Sequence, residues 1–465
     1  MTMQVTQATD RTVRPTAALA EFVTDLRLEA IPVETRRAVL NALLDTIGCG
    51  LFGADFEWSR IVADWIRDQE GRPEATLWRG GGYRAPAANI ALGLGTMIHS
   101  FDFDDYHNAK IHPGAAVVPA AITLAEARGA SGRDLLTALV AGYEVMTRVS
   151  LGTGPGPSRM QGWHLTGTTG TFGAAAAAAS LLGLDADRTA SALGLAGTQS
   201  AGLWAFTADG SQSKRFHPGR SAQSGLIAAA LAQRGYAGPT RILEAEDGGF
   251  CRATSDGFDF GRLVDGLGER FVAGDVTIKP YACCGSLHSS IDAVREITAR
   301  RPIDPDAIDR IVCHHSRIVL QQCGFAYEPL SVLQAQMSAQ YALAVAVLDG
   351  QALVDQFSAD RIGQPDVVAL AKRVEFAVDP EIDRIYPEVF AGRVEIVLRD
   401  GTRLDRRVDY PRGSVENPLP EADLLAKFHA LAGRAIGRDR ADRVVQMVQE
   451  IEGLPDVRAL TTELA

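Results

Sequence analysis

Six consecutive alanines, Ala174–Ala179, constrain the fold of this chain more than any other feature of its sequence. Alanine has the highest helix propensity of all residues, so this run predicts a helix over Phe172–Leu182. Because alanine side chains are small, neighbouring helices can approach closely, and we expect this helix at the centre of a bundle. A chain of 465 residues is too long for one simple core, which favours two domains.

Helical periodicity recurs on both sides of the alanine run. It predicts further helices at Ala17–Leu26, Val33–Phe52, Trp58–Asp68, Ala85–Ile98, Val117–Gly129, Arg133–Leu151, Asp185–Leu195 and Ser221–Arg234.

The pattern changes near Val276. Alternating, β-branched sequence predicts strands at Arg310–His315 and Arg393–Leu398. Asp400-Gly401 predicts a hairpin turn into a strand at Arg403–Val408. The segment therefore has the character of an α+β insertion, although helices are also expected within it, at Ile291–Arg300 and Ser338–Leu348.

Helical periodicity returns at Leu424–Ala435 and Asp442–Ile451. We therefore predict a mainly α protein with a large all-helical domain and a smaller α+β domain inserted before the C-terminal helices. The predicted boundaries give a helical domain of residues 1–274 and 412–465 and an α+β domain of residues 275–411.

Composition narrows the classes of partner. Apolar residues make up 46% of the chain and charged residues 22%, as in ordinary globular proteins, and the net charge of −11 argues against nucleic acid or anionic membranes. The most apolar run, Phe172–Leu184, is too short to span a bilayer, and the polar start, residues 1–15, lacks the apolar core of a signal peptide. The six cysteines have no Cys-x-x-Cys spacing, so we expect a protein with free thiols in a reducing cytoplasm.

The densest group of ionisable residues lies between two predicted helices, at His99–Gly114. The sequence His112-Pro113-Gly114 interrupts helical structure, because proline lacks an N–H and disfavours helix at the preceding residue. A solvated acidic loop is the alternative interpretation, but aromatic and apolar residues such as Tyr106 and Ile111 are interspersed in it. Titratable groups held against apolar walls are costly unless they are paired or used in function.

Further histidines and lysines stand beside glycine or proline. His164 follows a predicted Gly/Pro loop at Leu151–Gly162 and lies near further glycines. Lys214 and His217 lie in a predicted loop at Asp209–Gly219, and Lys279 precedes Pro280. Side chains at chain breaks can reach a cleft, and this set suits a substrate with two or three carboxylates and supplies an acid or base near neutral pH. We expect both lysines to be partly exposed, so that replacing either changes stability by no more than about 1 kcal/mol.

Other familiar chemistries find no support in the sequence. There is no G-x-x-x-x-G-K-[ST] loop and no Gly-x-Ser-x-Gly, and Gly93-x-Gly95 lacks a third glycine. Asp104 and Asp105 near His107 resemble part of a metal site, but no second cluster of ligands at helical spacing accompanies them. We predict neither a metal nor an organic cofactor.

Five motifs in order resemble the MmgE/PrpD family, whose members include 2-methylcitrate dehydratase, cis-aconitate decarboxylase and iminodisuccinate epimerase. They are Asp-Phe-Asp-Asp with His-Pro-Gly, Gly-Trp-His-x-Thr-Gly-Thr, Ala-Gly-Thr-Gln-Ser-Ala-Gly-Leu, Lys-x-x-His-x-Gly and Ile-Lys-Pro-Tyr, and the resemblance runs from about Ala17 to Phe428. It implies a large helical domain, a smaller α+β lid domain, a homodimer, no metal or organic cofactor, and a site between domain and lid.

The resemblance also implies site residues. It places Asp102, His112, His164, Lys214, Lys279 and Tyr341 at active-site positions. His217, from the same loop as Lys214, is a further candidate substrate-binding residue. Tyr106, where the dehydratases and decarboxylases compared carry threonine, and Lys110 are departures from the pattern. We expect His164 or Lys279 to exchange a proton on the carbon next to a carboxylate. Lys214 and His112 would hold carboxylates, while Asp102 would orient His112 and keep it cationic.

Three functions remain open from the sequence. The first is a cofactor-independent lyase, a dehydratase or decarboxylase, acting on a small di- or tricarboxylate such as 2-methylcitrate or cis-aconitate. The second is an epimerase or racemase of an imino- or amino-dicarboxylate such as iminodisuccinate, for which Tyr143 is a possible second base. The third is a non-catalytic carboxylate-binding protein.

Overall fold

A computed structural model describes residues 14–465 of the chain, so residues 1–13 of the polar start at residues 1–15 lie outside the described residues. The architecture is mainly α, as predicted. Its first part contains helices α1 (Pro15–Asp25), α2 (Val33–Gly53), α3 (Glu57–Arg67), α4 (Ala87–Ile98), α5 (Pro113–Arg128), α6 (Gly132–Thr153), α7 (Pro155–Met160), α8 (Leu165–Leu182), α9 (Ala186–Gly197), α10 (Ser213–Gln233), α11 (Phe250–Thr254) and α12 (Gly261–Val264). A two-stranded antiparallel ribbon, β1 (Ala75–Thr76) and β2 (Arg84–Ala85), lies between α3 and α4.

The alanine-rich helix α8 lies at the centre of the bundle, as predicted. It packs against α5, α6, α9 and α10, and all six alanines are buried. Small residues on the facing helices permit this approach: a Cβ added to Gly225 of α10 would lie 2.5 Å from Cβ of Ala174. The close packing of α10 on α8 and α4 determines the position of Lys214 in the site described below.

The α+β part begins after α12. It contains α13 (His288–Arg300), β3 (Ile308–His315), α14 (Arg317–Cys323), α15 (Val332–Met337), α16 (Ala339–Asp349), α17 (Ala359–Ile362), α18 (Pro365–Ala371), β4 (Val374–Val378), α19 (Pro380–Ile385), β5 (Gly392–Leu398) and β6 (Arg403–Val408). The sheet order is β4-β3-β5-β6, with β4 parallel to β3 and the other pairs antiparallel. The predicted hairpin is confirmed: Gly401 has a φ of +87°, and the Thr402 N–H donates to Oδ1 of Asp400 at 2.8 Å. Strand β4 was not predicted.

Three C-terminal helices, α20 (Glu421–Ile436), α21 (Arg438–Gln449) and α22 (Arg458–Leu464), complete the chain. Helix α20 packs on α2, so the end of the chain returns to the helical bundle. One hydrophobic core joins residues of the bundle with α20–α22, and a second core lies mostly within residues 281–408. These two cores support our proposal of domain boundaries at 274/275 and 411/412.

Two segments predicted as loops are partly helical. Helix α7 lies within the Gly/Pro segment before His164, since Pro155 at its first position has the φ that a helix needs. Helix α10 begins at Ser213 and includes Pro218, because packing against α4 overrides the low helix propensity of proline and glycine. Lys214 and His217 therefore lie in the first two turns of a helix, not in a loop.

No single helix among residues 14–465 is long and apolar enough to cross a membrane. Helices α2 and α3 pass that test only as a pair, with a bend of 87° between them.

Candidate active site

Asp102 ends a short 3-10 turn, His99–Phe101, that follows helix α4. Its backbone is left-handed, with φ 53° and ψ 36°, a conformation that aspartate tolerates better than most residues. Ser100 secures the turn: its Oγ accepts from Nε1 of Trp58 at 2.9 Å, and its carbonyl accepts from Nε of Arg215 at 2.8 Å. The turn thus presents the buried carboxylate of Asp102 at a defined position.

Two lysines converge on that carboxylate. Nζ of Lys214 and Nζ of Lys279 each lie 2.8 Å from Oδ1 of Asp102, and Nζ of Lys279 also donates to the Asp102 carbonyl at 2.8 Å. Burial alone would raise the pKa of Asp102, but the two ammonium groups hold it well below its ordinary value. Burial would likewise lower the pKa of Lys279, but Asp102 and Asp104 outweigh this effect and raise it. The centre is therefore a buried carboxylate with two cations.

Different elements deliver the two lysines. Lys214 arrives on α10, where Gly219 packs so closely on α4 that an added Cβ would lie 2.2 Å from the Leu92 carbonyl. Lys279 is placed by an antiparallel bridge in which Tyr106 and Thr277 exchange backbone hydrogen bonds of 2.9 and 2.8 Å. Both lysines are buried, 4% and 1% exposed, so the prediction that they are partly exposed was wrong.

Lys427 of α20 holds together the two backbone segments that carry Asp102 and Lys279. Its Nζ donates to the Phe103 carbonyl at 2.7 Å and the Lys279 carbonyl at 2.9 Å, and it lies 2.6 Å from Oδ1 of Asp45. The C-terminal helices thereby brace both the Asp102 turn and the Lys279 loop.

His112 is closer to Asp104 than to Asp102. Its Nδ1 lies 3.3 Å from Oδ2 of Asp104, whereas its Nε2 lies 3.7 Å from Oδ1 of Asp102, beyond hydrogen-bond length. The expectation that Asp102 orients His112 therefore does not match this geometry, because the lysines occupy its carboxylate. Asp104 also accepts from Nδ1 of His99 at 2.9 Å, and burial lowers the pKa of His99 to about 3, so we assign a neutral His99 beside an ionised Asp104.

His164 immediately precedes α8, and its Nδ1 lies 2.9 Å from Nδ1 of His217. Burial lowers the pKa of His164 well below its ordinary value, and His217 and Lys214 add to the effect. Burial also lowers the pKa of His217 to about 4. Both rings are therefore neutral at pH 7, and one Nδ1 donates to the other.

Asp105 is buried, and its carboxylate binds the first turn of α5. Its Oδ1 accepts from the Gly114 N–H at 2.9 Å and its Oδ2 from the Tyr143 hydroxyl at 3.0 Å. Burial raises the pKa of Asp105 well above its ordinary value, with Asp104 and Asp45 adding to the rise. Tyr143 is fully buried in this contact and is not among the residues that line the cavity, so its predicted role as a second base lacks a geometric basis.

A cavity between the two predicted domains brings together seven of the nine predicted site residues. The volume within it that the centre of a water molecule can occupy is about 60 Å³. The cavity therefore has room only for a small molecule. The predicted residues in its lining are Asp102, Tyr106, Lys110, His112, His164, Lys214 and Lys279. His217 supports the wall through His164.

Tyr341 does not reach the cavity. It is buried in the core of the α+β part, where its ring contacts Tyr327 and Phe357 and its hydroxyl donates to the Gln356 carbonyl. Helix α16 turns its side chain into this core, and the sequence spacing did not indicate which face of the helix would be buried. Its predicted role in substrate binding is not supported by this position.

The sequence interpretation missed several residues at the cavity. Arg159 and Cys284 line it. Asp104, for which the sequence suggested only a metal site, contacts His112 of the lining. The distribution of the lysines was a sequence signal that could have indicated the site. The chain has five lysines, and Lys110, Lys214, Lys279 and Lys427 all lie at this site, whereas Lys372 is exposed elsewhere. Arg159, in contrast, is one of many arginines, and nothing in the sequence distinguishes it.

Four residues of the site have the ligand types of a metal centre. Donor atoms of His99, Asp102, Asp104 and His112 lie within 4.8 Å of one another. However, Asp102 already accepts two ammonium groups, and a cation between them would face strong repulsion. The donor set therefore suits two lysines better than a metal ion.

The helical bundle, the α+β part and a cavity rich in histidine and lysine define the class of this protein. Residues 17–263 match the model of the MmgE/PrpD N-terminal domain, and residues 281–452 match that of the MmgE/PrpD C-terminal domain. The chain therefore belongs to the MmgE/PrpD family. It is an enzyme, a lyase of the MmgE/PrpD type.

Relatives of established function cover almost the whole chain. A cis-aconitate decarboxylase of Aspergillus terreus is 30% identical over 466 residues, 96% of this chain and 94% of the relative. The human cis-aconitate decarboxylase is 29% identical over 91% of this chain and 88% of its own length. A 2-methylcitrate dehydratase of Cupriavidus necator is 24% identical over 85% and 84%.

Proposed function

We propose that this enzyme is a cofactor-independent lyase that acts at the carbon next to a carboxylate of a small di- or tricarboxylate. Cis-aconitate is the first candidate substrate, since identity to the decarboxylases exceeds identity to the dehydratases. 2-Methylcitrate is the second. The observation that carries the proposal is the pair of buried ammonium groups on Asp102, beside neutral His164 at the same cavity.

Such chemistry leaves an electron pair on the carbon next to a carboxylate. The pair delocalises onto that carboxylate as a dianion, which positive charge placed in advance in a buried site stabilises strongly. Lys214 and Lys279 supply that charge here, and Asp102 keeps both close to the cavity.

The protonation states suggest the roles of acid and base. Lys279, whose pKa is raised, would be the acid, and His164, which is neutral, would be the base when its Nδ1–H donates to His217. In a decarboxylation the C–C electron pair stays on the substrate and the acid delivers a proton to carbon. In a dehydration the base removes the carbon-bound proton and the acid protonates the leaving hydroxyl.

Incubation with each candidate in deuterated water, followed by proton NMR and mass spectrometry, tests the proposal. A decarboxylase releases carbon dioxide and gives a product with deuterium on carbon. A dehydratase gives a product that is lighter than the substrate by one water. Exchange of a carbon-bound proton with unchanged connectivity would indicate an epimerase instead. Absence of both product and exchange with these substrates would reject the proposed function.

A homodimer and a cytoplasmic location remain predictions. All six cysteines are free and buried, which is compatible with a reducing compartment. Light scattering on the eluting protein would test the dimer, which predicts a mass of twice 49.6 kDa.

A further inference from the structure

Arg159 contributes a cation to the cavity that has no acidic partner. It comes from α7, and its guanidinium carbon lies 3.8 Å from the centroid of the Trp204 ring. Its Nε is buried without a hydrogen-bond partner, and among residues 14–465 no carboxylate forms an ion pair with it. Stacking on Trp204 fixes the plane of the guanidinium but leaves its charge uncompensated.

Lys110 contributes a second cation of this kind. Its backbone is left-handed, with a φ of 60°, and its Nζ donates to the Tyr386 hydroxyl. The same Nζ lies 4.7 Å from the Tyr386 ring centroid and 5.8 Å from that of Phe390. No carboxylate within the described part of the chain pairs with it.

These two residues differ from the other cations of the site. Lys214 and Lys279 share Asp102, and Lys427 pairs with Asp45. Two uncompensated cations that face one cavity repel each other and lose hydration, which destabilises the unoccupied protein. Consistent with this, burial lowers the pKa of Arg159 to about 10 and that of Lys110 to about 8. In a chain of net charge −11, such an arrangement suits an anion that enters from outside.

We propose that Arg159 and Lys110 form a remote anion subsite, which binds a second carboxylate of the substrate while the reacting end lies beside Lys214 and Lys279. The planar guanidinium can bind a carboxylate through two parallel hydrogen bonds, and the ammonium adds a third donor. The subsite rests on the proposed function for the identity of its ligand as substrate. Within the proposed class of di- and tricarboxylates, it assigns the binding of the second carboxylate to these two residues, and it predicts that monocarboxylates bind weakly.

Binding of propane-1,2,3-tricarboxylate tests the subsite without turnover, because this acid has neither a leaving hydroxyl nor a double bond. We expect Arg159→Gln and Lys110→Met each to weaken its binding, measured by calorimetry, roughly 10- to 100-fold. Binding of butyrate, a monocarboxylate, should be weak in every variant and unchanged by either substitution. Arg252→Gln is a matched control, because Arg252 also stacks on a ring, at 5.0 Å from Phe258, and has a buried Nε without a partner, but lies outside the cavity.

Removal of an uncompensated cation should leave the melting temperature unchanged or raise it, so loss of binding would not reflect unfolding. Unchanged affinity for the tricarboxylate in both variants would overturn the subsite, as would an equal loss of affinity for butyrate. The proposed function fails separately. If the tricarboxylate binds through Arg159 but the wild type converts neither cis-aconitate nor 2-methylcitrate, the subsite stands and the proposed reaction does not.

Discussion

Nδ1 of His164 lies 2.9 Å from Nδ1 of His217. At this distance one nitrogen carries a proton and donates it in a hydrogen bond that the other, unprotonated nitrogen accepts. The two rings therefore cannot both be cationic. Burial lowers the pKa of both rings, and Lys214 adds to the effect at each. His164 is therefore a neutral imidazole, and its Nε2 is an acceptor in the tautomer whose Nδ1–H donates to His217.

The pH dependence of activity should show this neutrality. Since His164 is already deprotonated in the free enzyme, kcat/KM for the substrate should not fall with a pKa near 6.5 as the pH decreases from 8 to 6. A pH–rate profile, supported by NMR titration of the histidine C2 protons, measures it. His164 titrating near 6.5 would contradict the assignment.

A buried histidine at the end of β3 should make stability depend on pH. Burial lowers the pKa of His315 to about 4, so between pH 6.5 and 4 the unfolded chain binds a proton that the folded chain does not. Its contribution is therefore lost as the pH falls below 6.5. Comparing the free energies of unfolding of wild type and His315→Asn, we expect the wild type to lose about 2 kcal/mol relative to the variant between pH 7 and 5. An equal loss in both proteins would show that His315 is already charged in the fold.

Gly114 should be irreplaceable for a steric reason. A Cβ there would lie 2.3 Å from Oγ1 of Thr46 and 2.5 Å from Oδ1 of Asp105, so Gly114→Ala must displace the contacts that place His112. We expect a loss of stability of about 1–3 kcal/mol, measured by denaturant unfolding, together with a loss of activity. Gly433→Ala is the control. It lies in α20 with no atom within 4 Å of an added Cβ, and it should be neutral or stabilising by up to about 1 kcal/mol.

Metal removal should not affect the enzyme. The carboxylate of Asp102 binds two ammonium groups, so we expect full turnover after exhaustive treatment with a chelator. Activity that disappears with chelator and returns with added metal would identify His99, Asp104 and His112 as ligands instead.

The sequence predicted the elements better than it predicted their contacts. The alanine run and the Asp400-Gly401 turn gave the correct central helix and hairpin, because both signals act over a few neighbouring residues. The start of α10 was missed because packing against α4 outweighs local propensity at Pro218.

Residue types at chain breaks identified most of the cavity, but not which groups pair within it. The convergence of Lys279 on Asp102 depends on the backbone bridge between Tyr106 and Thr277, which no local pattern records. Tyr341 was placed at the cavity by resemblance alone, and its helix turns it into the core. Arg159 could be identified only from its position beside Trp204.

The roles of Lys214 and Lys279 test the account most directly. Lys214→Met and Lys279→Met keep most of the aliphatic stem and remove the charge, and in each variant Asp102 retains the other lysine. Because both lysines are buried ion-pair partners, we now expect a loss of stability of about 1–3 kcal/mol, larger than predicted from the sequence. Lys372→Met, at an exposed position outside the cavity, is the control.

The decisive measurement is kcat of each variant on the identified substrate, normalised to the folded fraction. We predict a decrease of at least roughly a hundredfold for Lys214→Met and Lys279→Met, and no change for Lys372→Met. If both buried variants unfold more readily but their folded fraction turns over at the wild-type rate, the two lysines are only structural partners of Asp102, and the proposed catalytic site is wrong.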